Sequence, residues 1–187
     1  MTEIRNLLHN PRPGVPGGKE YESGFAANVS YAANRVTVKA TGDYAYAKRA
    51  ITLPAGDWVY SAYLRGDVGN NPCTTTENRG LYVIVDGKFL THEPFSGKDK
   101  RYTARFHLDA ETTVSLRLAG PSTVGDSMAW YAMILASKQD YDQMRSLTDA
   151  NGNPLNLMWF DGATYPRSGG LSLLAYPHRL HRLGVAA

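Results

Sequence analysis

Hydrophobic and polar residues alternate with a period of two over much of the chain, the spacing that sets one row of side chains against a core and the other in water. In Arg35 to Ala40, Val36, Val38 and Ala40 share one face while Arg35, Thr37 and Lys39 share the other, and Gly42-Asp43 then signals a turn and a hairpin. From Asp57 to Arg65, Trp58, Tyr60, Ala62 and Leu64 oppose Val59, Ser61, Tyr63 and Arg65, after the turn residues Pro54 to Asp57. Leu81 to Val85 is a short β-branched run ending in Asp86-Gly87, so Lys88 to Leu90 is predicted to return antiparallel to it. Tyr102, Ala104, Phe106 and Leu108 form another alternating set, and Val114, Leu116 and Leu118 the next.

Met128 to Leu135 is apolar on both faces, which fits a central strand or a buried helix by periodicity alone; its β-rich neighbours favour the strand. With the segment Asp43 to Leu53 and a weaker strand near Ala27 to Tyr31, the pattern gives about eight antiparallel strands, the number of a jelly-roll β-sandwich. The predicted fold class is therefore all-β. One short helix follows: Ser137 supplies a cap, Asp140 lies in the first turn, and Tyr141, Met144 and Leu147 recur at helical spacing. It is expected on an edge of the sandwich. Asn151 to Pro154 marks a turn, and residues 155–187 mix Gly, Pro, aromatic and basic residues without a period. The expected organisation is an N-terminal arm over 1–25, the sandwich over 26–136, and the helix with a C-terminal arm over 137–187.

Composition narrows the class. At 187 residues one domain buries about 70% of its unfolded surface without help from disulfides or metal. Cys73 is the single cysteine, which rules out an intramolecular disulfide. The net charge is +3, with 20 basic residues interspersed among 17 acidic ones, and this argues against a nucleic-acid partner, whose phosphates call for a concentrated basic stripe. The first residues lack a basic stretch followed by an apolar run, and no segment approaches the ~20 apolar residues of a membrane span, so a soluble protein made in a cytoplasm, with no membrane partner, is expected.

Candidate chemistry is sparse, and the expectation is a protein that is not an enzyme and carries no cofactor. Gly125-Asp126-Ser127-Met128 echoes the start of a hydrolase motif, but it precedes an apolar strand in an all-β pattern and no Asp-x-x-His follows. His178 and His181 stand among arginines that would repel a metal cation. Asp86 or Asp126 would serve a structural calcium, yet no loop carries a dense run of acidic ligands. Glycan binding is better served, because a sugar has one apolar face that stacks on aromatic rings and a polar rim that takes hydrogen bonds. The candidates are Tyr44, Tyr46 and Tyr63 on two predicted strands, with Asn70, Asn71 and Arg79 in the long polar loop from Gly66 to Gly80. Against this stands core packing, which accounts for Trp58 and Tyr60 beside Leu64, and a plain surface loop.

Two further stretches, Asn6-Leu7-Leu8-His9-Asn10-Pro11 and Trp159-Phe160-Asp161-Gly162-Ala163-Thr164, flank the predicted sandwich. Together they resemble tail-associated proteins of actinobacterial phages, in which an Asn-Leu-Leu-x-Asn-Pro start leads into a galactose-binding or carbohydrate-binding-module-like jelly roll and a Tyr-Phe-Asp-Gly segment follows it. This chain has Trp159 in place of Tyr and Ala163 in place of Asp or Ser. The resemblance implies a virion location and a structural role, as a minor tail or capsid-decorating protein with other virion proteins as partners and a homo-oligomer within the particle. Its alternative is a glycan-binding module that attaches the particle to bacterial surface polysaccharide. No catalytic residue carries over.

Overall fold

The computed structural model describes residues 4–8, 20–32, 35–65, 79–95, 100–149, 151–155, 157, 163–167 and 170–172. In chain order its elements are β1 (Ile4–Arg5), β2 (Glu22–Phe25), β3 (Ala27–Ala32), β4 (Arg35–Ala40), β5 (Tyr46–Leu53), β6 (Gly56–Arg65), β7 (Gly80–Val85), β8 (Lys88–Pro94), β9 (Lys100–Leu108), β10 (Thr112–Ala119), β11 (Ser127–Ser137), α1 (Lys138–Arg145), β12 (Ala163–Arg167) and β13 (Gly170–Ser172). Two five-stranded antiparallel sheets form a β-sandwich: the first has the order β2-β5-β10-β7-β8, the second β3-β4-β11-β6-β9, and β1, β12 and β13 make a small third sheet. The all-β jelly-roll architecture expected from the alternation is what the chain adopts.

The alternating segments bury the faces they were expected to bury. Val36, Val38, Trp58, Tyr60, Leu64, Leu81, Val83, Tyr102, Phe106, Val114, Leu116 and Leu118 all lie in one core between the sheets. Tyr102, Trp130 and Phe95 pack there with ring centroids 5.7–5.9 Å apart, and the indole of Trp130 donates to the Ala119 carbonyl at 2.9 Å. Tyr21 and Tyr60 join their hydroxyls at 2.9 Å inside this core, next to the Arg49–Glu20 ion pair. Asp86 and Gly87 both take positive φ, as a tight turn between β7 and β8 requires.

Three features depart from the sequence reading. Glu22–Phe25 forms an edge strand that Glu-Ser-Gly-Phe is too short and too polar to announce. The turn at Gly42-Asp43 is present, but β4 does not fold back on β5; β4 already has β3 and β11 on its two sides, so the chain crosses to the other sheet. The helix is capped as expected, with Ser137 Oγ accepting from the Asp140 amide at 3.1 Å. It lies on the outer face of the second sheet rather than on an edge, because Tyr141 and Met144 bury against Val59, Ile134 and Ala136 of β6 and β11.

Residues 4–8 and 20–25, within the segment expected to form an N-terminal arm, contribute to the body of the protein. The reason is a β-bulge in β11. Tyr63 opposes Tyr131 and Ser61 opposes Ile134, so β11 carries one extra residue between those pairs. Ala132 sits there at φ +49°. Asn6 plugs the gap: its Nδ2 donates to the Met133 carbonyl at 3.0 Å and its Oδ1 accepts from the amides of Leu135 and Leu8, each at 3.0 Å. Leu7 continues the pairing by donating to the Leu135 carbonyl at 2.8 Å, and Leu8 enters the main core. From the other side, Arg101 donates through Nη2 to the Ala132 carbonyl at 2.8 Å and through Nη1 to Ser61 Oγ at 3.0 Å, and burial lowers its pKa to about 10.

Replacing Asn6 by alanine leaves a carbonyl and two amides of this buried region unpaired. At about 1–3 kcal/mol for a buried group left without its partner, Asn6→Ala is expected to destabilise the protein by about 2–4 kcal/mol in urea unfolding. Asn6→Asp, which keeps the acceptor and loses the donor, falls between. An Asn6→Ala variant within about 0.5 kcal/mol of the parent, the range of a plain surface change, contradicts this account of the bulge.

Candidate functional site

The outer faces of the two sheets differ. That of the second sheet is covered by α1 and by Ile4, Leu155 and Leu157. The first sheet presents an outer face whose side chains follow from register. Glu22 on β2 opposes Lys48 on β5, Lys48 opposes Arg117 on β10, Arg117 opposes Tyr82 on β7, and Tyr82 opposes His92 on β8. One residue from each strand thus lines up across the whole sheet. The neighbouring row is Ala50, Ser115, Ile84 and Phe89.

Rings gather at the β7–β8 end of these rows. Tyr82 lies 5.5 Å from Phe89 and 5.9 Å from His92, centroid to centroid, and the last pair is stacked. Phe89 is 65% exposed while Tyr82, beneath it, is only 8% exposed. A phenylalanine this exposed, backed by a buried tyrosine, is a rigid apolar surface of the kind that marks contact sites. Burial pushes the Tyr82 hydroxyl up to about 12 against the pull of Arg79 and Arg117.

Toward the other side, Arg117 lies over Tyr46, its Cζ 4.3 Å from the ring centroid. Tyr46 in turn lies over Gly24, where a Cβ would stand 1.9 Å from the Tyr46 Cε2, so only glycine admits the ring in this position. At the end of the same sheet Arg79 stacks over Tyr44 at 5.5 Å, pairs with Asp43, and donates to the Gly120 carbonyl at 3.3 Å. Tyr44 is 69% exposed and holds φ +57°.

Of the residues proposed for glycan contact from the sequence, the structure brings Tyr44, Tyr46 and Arg79 to the first sheet and sets Tyr63 on the opposite side of the molecule. Tyr63 shares the face of Val59 and packs with the cluster beneath α1. Asn70 and Asn71 lie outside the described residues, as do Cys73, His178, His181 and the stretch from Trp159 to Gly162. Lys48, Tyr82, Phe89, His92 and Arg117 were not singled out. Their signal is the Asp86-Gly87 turn, which fixes Ile84 opposite Phe89 and, past a one-residue irregularity, Tyr82 opposite His92. What hides them is the run Leu81 to Ile84, apolar at every position, which gives no clue to which parity faces out.

Among the described residues no group of three or more His, Cys, Asp or Glu could hold a metal ion, and no helix is long and apolar enough to cross a membrane. No protein family matches the sequence, and neither does any curated protein. Among solved structures, a mutant family 29 carbohydrate-binding module complexed with cellohexaose resembles this chain at 12% identity and a TM-score of 0.45, over 72% of this chain and 91% of that one.

The raised Tyr82 pKa has a testable sign. The unfolded chain releases this proton near the ordinary value of 10.0 while the folded protein holds it to about 12. The folded state therefore binds more protons between those values, and stability falls as pH rises through that window. In a spectrophotometric titration of the folded protein, Tyr82→Phe is expected to remove one phenolic transition near pH 12; loss of a transition near pH 10 instead sinks the assignment.

Proposed function

We propose that the protein is a non-catalytic glycan-binding β-sandwich and that the outer face of the first sheet takes a polysaccharide chain running across the strands. The observation that carries this reading is the exposed ring of Phe89, backed by Tyr82 and His92 and continued across the sheet by Arg117, Lys48 and Glu22. Rings stand at one end of this face and hydrogen-bonding groups at the other, the two kinds of contact that the apolar face and polar rim of a sugar require. Five strands at about 4.8 Å spacing span about 19 Å, enough for several sugar residues. Glu22 and Asp43 are held in ion pairs with Lys48 and Arg79, a setting for binding rather than for acid–base chemistry.

The resemblance carried by Asn6 to Pro11 and Trp159 to Thr164 supports placing such a module in a phage particle, as a structural protein of tail or capsid displayed in many copies. There weak single sites gain avidity from repetition, and other virion proteins and bacterial surface polysaccharide are its partners. Mass spectrometry of purified particles tests that placement.

For the binding face, Phe89→Ala with His92→Ala removes two exposed rings from an edge strand. At about 0.5–1.5 kcal/mol per aromatic contact, the pair is expected to weaken retention on a bound polysaccharide by about tenfold or more in affinity electrophoresis, with the unfolding midpoint unchanged. A double variant retained as strongly as the parent removes this face from consideration.

A further inference from the structure

We propose that the glycan this face accepts is acidic, and that Arg117 grips its carboxylate or phosphate. The proposal rests on the glycan-binding reading above and adds the chemical class of the ligand. Arg117 lies on β10, the central strand of the first sheet, with Lys48 on one side and Tyr82 on the other in the same cross-strand row. Its guanidinium carbon lies 4.3 Å from the Tyr46 ring centroid, and such a cation–π contact holds the cation in place without neutralising it.

Arg79, the other arginine near Tyr82, shows what a satisfied guanidinium looks like here. It has the Asp43 carboxylate, the Gly120 carbonyl and the Tyr44 ring. Among the described residues Arg117 has the ring alone. Its Nε is shut off from solvent with no hydrogen-bond partner, and among the described residues no carboxylate pairs with it. Glu22, the acidic residue of its own row, is taken by Lys48 at 3.3 Å. A guanidinium has five N–H donors in a planar fork that matches the two oxygens of a carboxylate or phosphate. Arg117 thus offers a pre-positioned fork lacking its anion, with Lys48 and Tyr82 beside it in its own row, His92 beyond Tyr82, and the exposed Phe89 in the next row. The rings would stack on the sugar while Arg117 takes the acid.

The test compares the full chain against three probes by isothermal titration calorimetry: cellohexaose as the neutral probe, oligogalacturonate carrying carboxylates, and poly(glycerol phosphate) carrying phosphates, each at low and at high salt. At least one acidic polymer is expected to bind about tenfold more tightly than the neutral one at low salt, with the difference shrinking as salt screens it. Which acidic polymer binds names the acid. Arg117→Gln is expected to weaken acidic binding about tenfold more than neutral binding, so that the preference is lost, and Arg117→Lys to keep part of it, since charge remains and the fork is lost. The salt dependence of the unsubstituted protein gives a reading even if the glutamine variant fails to fold. Neutral binding equal to acidic, without salt dependence, overturns this proposal and keeps the glycan face; no binding of any polymer overturns both.

Discussion

Asn6 and the extra residue of β11 hold the two cores of this protein in register, and most of the architecture depends on that contact. Strand alternation sends Met128 and Trp130 into the sandwich. Continued without interruption it would send Ala132, Ile134 and Ala136 inward and turn Met133 and Leu135 out. The bulge reverses the parity, so that Met133 and Leu135 join Trp130 in the main core while Ala132, Ile134 and Ala136 face α1. Two alanines on that outer face let the helix approach closely. The reversal costs about 1–2 kcal/mol for a non-glycine residue at positive φ, and it exposes backbone groups that the sheet no longer pairs. Asn6 from the N-terminal segment and Arg101 from β9 offset both by bonding to Met133, Leu135 and Ala132.

With the helix on the second sheet, the proposed binding face falls on the first. Because β5, β10 and β7 each pair on both sides, the rings and the guanidinium on their outer face are carried by backbone that cannot easily move. A rigid, preformed surface loses little conformational freedom when a ligand arrives. The stack of Arg117 on Tyr46 and of Tyr46 on Gly24 extends this to the side chains, since each limits the rotamers of the next.

The body of the fold was legible because most strands alternate cleanly, and Ser137 and Asp86-Gly87 signal their cap and turn in a few residues. What escaped depends on contacts distant in sequence. Glu22–Phe25 becomes a strand only because β5 offers an edge, and Gly42-Asp43 fails to make a hairpin only because β11 claims the place that β5 would take. The site was partly visible for a similar reason. Tyr44, Tyr46 and Arg79 stand out as aromatic or basic residues near turns, and they reach the open face. Tyr63 has the same chemistry but lies on the other sheet, packed against the cluster beneath α1. Arg117 reads as an ordinary polar residue of an alternating strand; its meaning comes from Tyr46, 71 positions earlier by the numbering.

The stretch Asn6-Leu7-Leu8 now has a physical content that bears on how far the phage resemblance reaches. Its asparagine closes the bulge, Leu7 pairs with β11, and Leu8 fills the main core. The body of the sandwich alone therefore accounts for that triplet, with no ligand invoked. A resemblance founded on it speaks to architecture, while the proposed ligand contact rests on residues such as Arg117 and Phe89, which belong to the other sheet.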